Sequence, residues 1–167
     1  MNKKYLLTIF FIINTSFAYA KSAIYYVDID FILNNSKPGL KIIKDLENNK
    51  KKNDSELKKL KEGVKSKNDE INKSKNLISD NEMKSKIEEL RKQIKIYEKK
   101  QAEYANEFNK KQNKLFADLM IKINDILKVY MEKNSIEIFL NKKIILMAKT
   151  DLNLTDEILD IVNKEID

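Results

Sequence analysis

The sequence of 167 residues has no cysteine, no histidine and no tryptophan, and only one proline. Without Cys there are no disulfides to support a fold, and thiolate metal sites and thiol nucleophiles are excluded. Without His the commonest general base and metal ligand is missing. Most hydrolytic schemes fall away, and the chain reads as a non-enzyme that uses no cofactor. Arginine is nearly missing too, since 33 basic residues include Arg91 as the single Arg. Such heavy use of Lys, Asn and Ile is what an A+T-rich genome produces, so part of the basic balance reflects codon usage. No apolar run is long enough for a membrane span. The stretch from Tyr5 to Ile13 is broken by Asn14-Thr15-Ser16, well short of the ~18 residues a span needs.

That stretch reads instead as the core of a secretory signal. Lys3 and Lys4 supply the charged start, and Ala18-Tyr19-Ala20 supplies the small-residue cleavage pattern. Cleavage after Ala20 is expected, leaving a free soluble protein from Lys21. Two lysines leave with the leader, taking the net charge from +7 to +5.

The mature chain divides by pattern. Ala-Ile-Tyr-Tyr-Val-Asp at 23–28 reads as a strand, followed by a short helix capped by Asp30. Ser36-Lys37-Pro38-Gly39 interrupts, with Pro38 placed to open a helix at its first position. Ile43, Leu46, Leu57, Leu60, Val64, Ile71 and Ile78 then recur at 3,4 spacing, but the same seam passes through Lys50, Asn53, Lys67 and Ser74. This is a helix with a thin, interrupted apolar stripe.

Ser79-Asp80-Asn81-Glu82 matches a capping box. A second helix follows, with Met83, Ile87, Leu90, Ile94, Tyr97, Tyr104, Phe108 and Leu115 on its seam. Two long helices with a short turn near 77–81 make an antiparallel hairpin over 38–133. Its arms are ~60 and ~80 Å long at ~1.5 Å per residue.

From 115 to 131 apolar residues occupy most sides of the helix, so that end is expected inside a body. Strands are expected at 136–140 and 143–148, joined by a two-residue turn at Asn141-Lys142. A last helix is expected to begin with Thr155 as its cap. The fold class is α+β, predominantly helical: a small β body that oligomerises, carrying a long helical arm. Residues 21–37 and 134–167 form the body. About 50 residues bury too little surface to stand alone, so the bodies are expected to share a core through Ile24, Tyr26, Ile136, Ile138, Leu140, Ile144 and Leu146.

The charge is uneven. Residues 38–112 hold 21 basic and 14 acidic side chains, an excess of +7, while the rest of the mature chain sums to about −2. Arg91, Lys92, Lys95, Lys99 and Lys100 form a cationic patch suited to an anionic partner, an acidic unfolded chain or lipid phosphates. The alternative is a solvated surface with i,i+4 pairs such as Glu47/Lys51 and Glu88/Lys92. Tyr97, Tyr104 and Phe108 among lysines could stack on bases, but their spacing fits hairpin core. Ile42, Leu77, Ile96 and Phe139 lie off the seam, and Gly63 weakens its helix by ~1 kcal/mol relative to Ala. Asp28 and Asp30, the one close carboxylate pair beside a strand end, have cap and strand-end roles, with no third group to make an acid/base site. The Asn34-Asn35-Ser36 and Asn153-Leu154-Thr155 triplets match glycosylation acceptors, which are common by chance in so Asn-rich a chain.

Ala23-Ile24-Tyr25-Tyr26-Val27-Asp28-Ile29-Asp30 through Ser36-Lys37-Pro38-Gly39, the Lys-rich hairpin, and the C-terminal stretch from Ile136 to Ile161 together resemble the Skp (also called OmpH) periplasmic chaperones. That resemblance spans nearly all of the mature chain. It implies a homotrimer with a shared barrel-like body and three arms around a cavity. It implies unfolded outer-membrane β-barrel proteins as clients, held in the periplasm without nucleotide. A lipopolysaccharide contact of some relatives depends on basic positions that have no clear match here. Two other readings remain on the residues themselves. One is a structural coiled-coil adaptor or scaffold of the cell envelope. The other, a nucleic-acid protein, is disfavoured by export and by the lack of Arg.

Overall fold

The computed structural model describes residues 24–166. The leader at 1–20 and its cleavage site lie outside the described residues. β1 (Ile24–Val27) is the β-branched and aromatic run, and it leads directly into α1 (Ile29–Asn35). The cap of α1 is Asp28, not Asp30. Asp28 is still extended, at φ −90 and ψ 90, and its carboxylate accepts the Phe31 N–H at 3.0 Å. Asp30 already lies inside the first turn, where its charge suits the helix dipole.

At Ser36 one helix ends and the next begins. Its N–H bonds the Ile32 carbonyl, and its buried hydroxyl accepts the Gly39 N–H at 3.2 Å. α2 (Lys37–Ser74) therefore starts one residue before Pro38, which takes the second position rather than the first. Every free donor of this first turn is accounted for. Asn163 Oδ1 accepts the Lys37 N–H at 2.6 Å, proline has none, and the Leu40 N–H bonds the Ser36 carbonyl at 2.8 Å. The elbow is tight enough to require glycine. A Cβ on Gly39 would lie 1.8 Å from the Leu33 carbonyl oxygen.

α2 stops at Ser74, short of the expected Ile78. The Ser74 hydroxyl donates to the Glu70 and Ile71 carbonyls at 3.0 and 3.2 Å, a local bond that competes with continuing the helix. The capping box forms as expected. Ser79 N–H donates to the Glu82 carboxylate at 3.0 Å, and Glu82 N–H returns to the Ser79 hydroxyl at 3.4 Å. α3 (Asp80–Asn134) runs back beside α2. With 38 and 55 residues, the helices are about 57 and 82 Å long at ~1.5 Å per residue. Ser135, at φ 52, ends α3 in the left-handed conformation, and its N–H bonds the Met131 carbonyl.

β2 (Ile138–Asn141) pairs with β1 in parallel, Ile24 opposite Ile138 and Val27 opposite Asn141. The expected hairpin at 136–148 does not form. Asn141 accepts the Lys143 N–H and starts a 3-10 turn, Lys142–Ile144. Lys142 then reaches Asp28 at 3.0 Å and Lys143 pairs with Asp30. Both pairs tie the end of β2 to the start of α1, where the register of Val27 with Asn141 already brings them together. The segment that was expected to be a strand at 143–148 carries Ile144, Leu146 and Met147 in the open, at 75%, 95% and 89% exposure.

α4 (Thr155–Glu165) closes the described fold. Thr155 is its first residue, not its cap. The Thr155 hydroxyl is instead used across the fold, accepting the Asp28 N–H at 2.9 Å and donating to Asn153. The core joins Val27, Ile29 and Ile32 to Ile158, Val162 and Ile166, with Leu119, Ile123, Ile126 and Leu127 contributed by α3. The body thus extends well beyond the terminal segments. The 115–131 stretch is also less buried than its composition implies, with Ile121 and Val129 turned to solvent.

Candidate functional site

Three surfaces are candidates for function, and the first is the sheet. Alternate strand residues face opposite sides. Val27 is buried in the core, and Phe139 packs against that core and lies 6.2 Å from the Tyr130 ring. Ile24, Tyr26, Ile138 and Leu140 therefore share the other face. Ile24 and Ile138 are register partners, and both are more than two-fifths exposed. Tyr26 is covered and Leu140 half-buried. Of the other residues expected in an oligomer core, Ile136 is buried just ahead of β2, while Ile144 and Leu146 lie on the exposed segment after it.

The second surface is the seam between the arms. Leu46 and Ile71 are buried, and the other apolar seam positions are half-buried. Polar seam positions are used in two ways. Toward the turn the seam residue Lys67 bridges to Glu89 at 2.5 Å, and beside the seam Lys86 bridges to Glu70. The Lys86 ammonium holds the Glu70 carboxyl below its ordinary range. Nearer the body, Lys50 and Asn53 fall opposite Gln101, Tyr104 and Phe108, and a cavity of about 330 Å³ opens between them. Beside it the Tyr104 hydroxyl donates to Glu56 at 2.5 Å, which raises the phenol pKa. The aromatic run is thus hairpin packing. The bridges could have been found in the sequence, because the members of each ion pair are equidistant from residue 78.

The third surface is the cationic patch. At ~100° per residue, Arg91, Lys92, Lys95 and Lys99 fall on one arc of α3 away from the seam, and all four are exposed. Lys100 turns elsewhere, lying 5.5 Å over the Tyr104 ring and 3.2 Å from Glu103. Glu103, also 3.8 Å from Lys99, holds the Lys100 ammonium above its ordinary pKa. The i,i+4 pairs on the described helices are Lys58–Glu62, Lys99–Glu103 and Lys114–Asp118, rather than the pairs expected at Glu47 and Glu88.

Asp28 and Asp30 are taken up by capping and by Lys142 and Lys143. The Phe31 N–H, then Lys142, hold the Asp28 carboxyl below its ordinary range. Among the described residues there is no cluster of acidic side chains able to hold a metal ion, and no helix long and apolar enough to cross a membrane.

The sequence has no significant match among curated proteins. By shape the chain is similar to the crystal structure of a protein from Caulobacter crescentus CB15 assigned as an outer membrane chaperone (OmpH-like). The TM-score is 0.81 at 12% identity, over 88% of this chain and 87% of that one. At that identity the likeness establishes the fold: long paired helices on a small mixed body. The profile of the OmpH-like outer membrane protein family matches residues 23–162. With that match spanning both strands, the whole arm and most of α4, the chain belongs to the OmpH-like family of outer membrane proteins.

Proposed function

We propose that the chain is an exported, ATP-independent holding chaperone that binds unfolded outer-membrane β-barrel proteins and keeps them from aggregating. The observation that carries this reading is the arm. Its interrupted seam leaves Val64, Leu90 and Ile94 only half-buried, Leu77 and Ile96 are open, and lysines surround them all. Such a surface offers an unfolded chain many weak apolar and ionic contacts along some 80 Å, without a pocket shaped to one folded partner. Family membership and the fold shared with a protein assigned as an outer membrane chaperone support the same reading. Nothing in it calls for catalysis or nucleotide.

The body supplies assembly. The sheet face of Ile24, Tyr26, Ile138 and Leu140, flanked by Ile136 and by Ile144 and Leu146, is read as the core of a homotrimer whose three arms enclose a cavity. The arm over 38–133 then projects from a shared body of 21–37 and 134–167, to which α3 adds its buried end. Arg91, Lys92, Lys95, Lys99 and Lys100 attract anionic partners, chiefly acidic unfolded clients, and anionic lipid or lipopolysaccharide through phosphate. Nucleic acid is not a partner in this reading. The leader at 1–20 supports export to the periplasm, with the soluble mature chain starting at Lys21.

The test is to dilute an outer-membrane β-barrel protein from urea into buffer containing the mature protein and no ATP. Scattering should stay low at a stoichiometric ratio of trimer to client. Aggregation at the uncatalysed rate would leave the envelope adaptor, which binds one folded partner, as the better reading.

A further inference from the structure

Along one flank of the seam, a groove of about 560 Å³ lies between the arms. Its apolar floor is Val64, Leu90 and Ile94, and its α2 rim carries Lys58, Lys61 and Lys65 against the single carboxylate of Glu62, with Asn68 beside them. Two features separate it from ordinary helix surface. Its walls are held in place, because Lys67 and Glu89 bridge the arms at 2.5 Å immediately toward the turn. Its rim charge is also largely unspent. Lys58 reaches Glu62 only at 4.0 Å, and Lys61 and Lys65 make no ion pair among the described residues.

We infer that this groove is a discrete client subsite, selective for extended segments in which one apolar side chain is flanked two residues away on each side by Asp or Glu. The assignment rests on the holding-chaperone reading and names a chemistry that the reading leaves open. The spacing follows from geometry. Lys58 and Lys65 stand about 10 Å apart along the axis at ~1.5 Å per residue. In an extended chain, residues two before and two after a given side chain share its face and lie about 13 Å apart at ~3.3 Å per residue. Flexible lysine stems cover that difference. A segment lying along α2 can therefore seat its apolar side chain on Val64, Leu90 and Ile94 while its two carboxylates meet the ends of the rim. Charge complementarity sets the sign of the partner, since a basic flank would face the same unpaired ammonium groups and be repelled.

The floor carries methyl groups, which makes the test direct. The mature protein, methyl-labelled, is titrated with the peptide Ser-Asp-Ser-Leu-Ser-Asp-Ser, with the same peptide carrying Lys for Asp, and with urea-unfolded client in a parallel aggregation assay. The acidic peptide should shift the Val64, Leu90 and Ile94 methyl signals while leaving Leu127 in the body unmoved. The basic peptide should shift none. The triple variant Lys58→Glu, Lys61→Glu, Lys65→Glu should weaken the acidic peptide by about tenfold or more. Lys51→Glu, Lys52→Glu, Lys59→Glu changes the arm's charge equally at three lysines that do not line the groove, and should weaken it by no more than about twofold. Equal losses in the two variants, or equal binding of the two peptides, would overturn the subsite and reduce the attraction to a general field. Aggregation suppression without groove selectivity defeats the subsite alone. Failure to suppress aggregation defeats the holding reading itself.

Discussion

Gly39→Ala and Gly63→Ala are the same chemical change, yet the structure assigns them opposite signs. In a helix interior alanine is favoured over glycine by roughly 0.8–1 kcal/mol. At Gly63 an added Cβ meets nothing within 4 Å, so nearly all of that gain should appear. In a domain of this size ~1 kcal/mol corresponds to a rise of about 2–4 °C in Tm. At Gly39 the added Cβ would stand 1.8 Å from the Leu33 carbonyl oxygen and 2.9 Å from its carbon. Both are main chain and neither can rotate away, so α1 and α2 must move apart, loosening the Ser36 cap and the Asn163 bond. Overpacking against backbone costs ~1–3 kcal/mol or more, which outweighs the propensity gain. A net loss of ~2 kcal/mol should lower Tm by about 4–8 °C. Calorimetry on the mature protein measures both, and hydrogen exchange should show slower exchange around residue 63 in the stabilised variant. Wild-type stability in Gly39→Ala would refute the elbow. No gain in Gly63→Ala would mean that helix formation in the arm does not limit its stability.

Ile138→Asp should disperse the proposed trimer by setting a charge on the apolar sheet face, and Leu146→Asp tests whether the exposed segment joins that contact. Light scattering reads both, and a trimer that survives Ile138→Asp places the interface elsewhere. Asp28→Ala should cost about 1–2 kcal/mol by removing the α1 cap and the partner of Lys142. The Asp28 carboxyl is depressed in the fold, so its contribution is present above the unfolded value near 4 and is lost as pH falls through the folded one. In acid titrations below pH ~4, wild type should therefore lose stability more steeply than Asp28→Asn; identical slopes would contradict the assigned pairing. Reversing Lys95, Lys99 and Lys100 to Glu should lower the capture rate of an acidic unfolded client in stopped-flow fluorescence while leaving the oligomer intact. Added salt should slow capture more than it speeds release, because steering is screened over ~8 to 10 Å. Rates indifferent to both would leave the basic excess as codon usage on a solvated surface.

The arm was legible because its determinants are local. A 3,4 repeat needs only neighbours a turn away, and the capping box at Ser79 and Glu82 is complete within four residues. What misled the reading of the body was distant. Asp30 has the residue type and place of a cap, but Asp28 is the last extended residue, and its N–H is taken by Thr155 from the far end of the chain. Residues 143–148 have a strand's composition, but Lys142 and Lys143 are drawn to Asp28 and Asp30 more than a hundred positions away. Composition placed Ile121 and Val129 inside the body, whereas only one side of that helix meets the core. For the candidate surfaces, helical spacing puts Arg91, Lys92, Lys95 and Lys99 on one exposed arc, but it does not show that Lys100 turns to Glu103 and Tyr104. It could not locate the groove at Val64, Leu90 and Ile94, which depends on how two helices meet.

The two strands that make the sheet are separated in the chain by the entire arm, so they set an order of events during synthesis. The hairpin closes around a turn between neighbours and can zip as soon as both sides emerge, whereas β1 must wait for β2 across more than a hundred residues of sequence. A chain interrupted before Ile138 would carry a finished arm and half a sheet. The face built from Ile24 and Ile138 comes into existence only once Ile138 has been made, so molecules cut short of it are withheld from any assembly that uses that face.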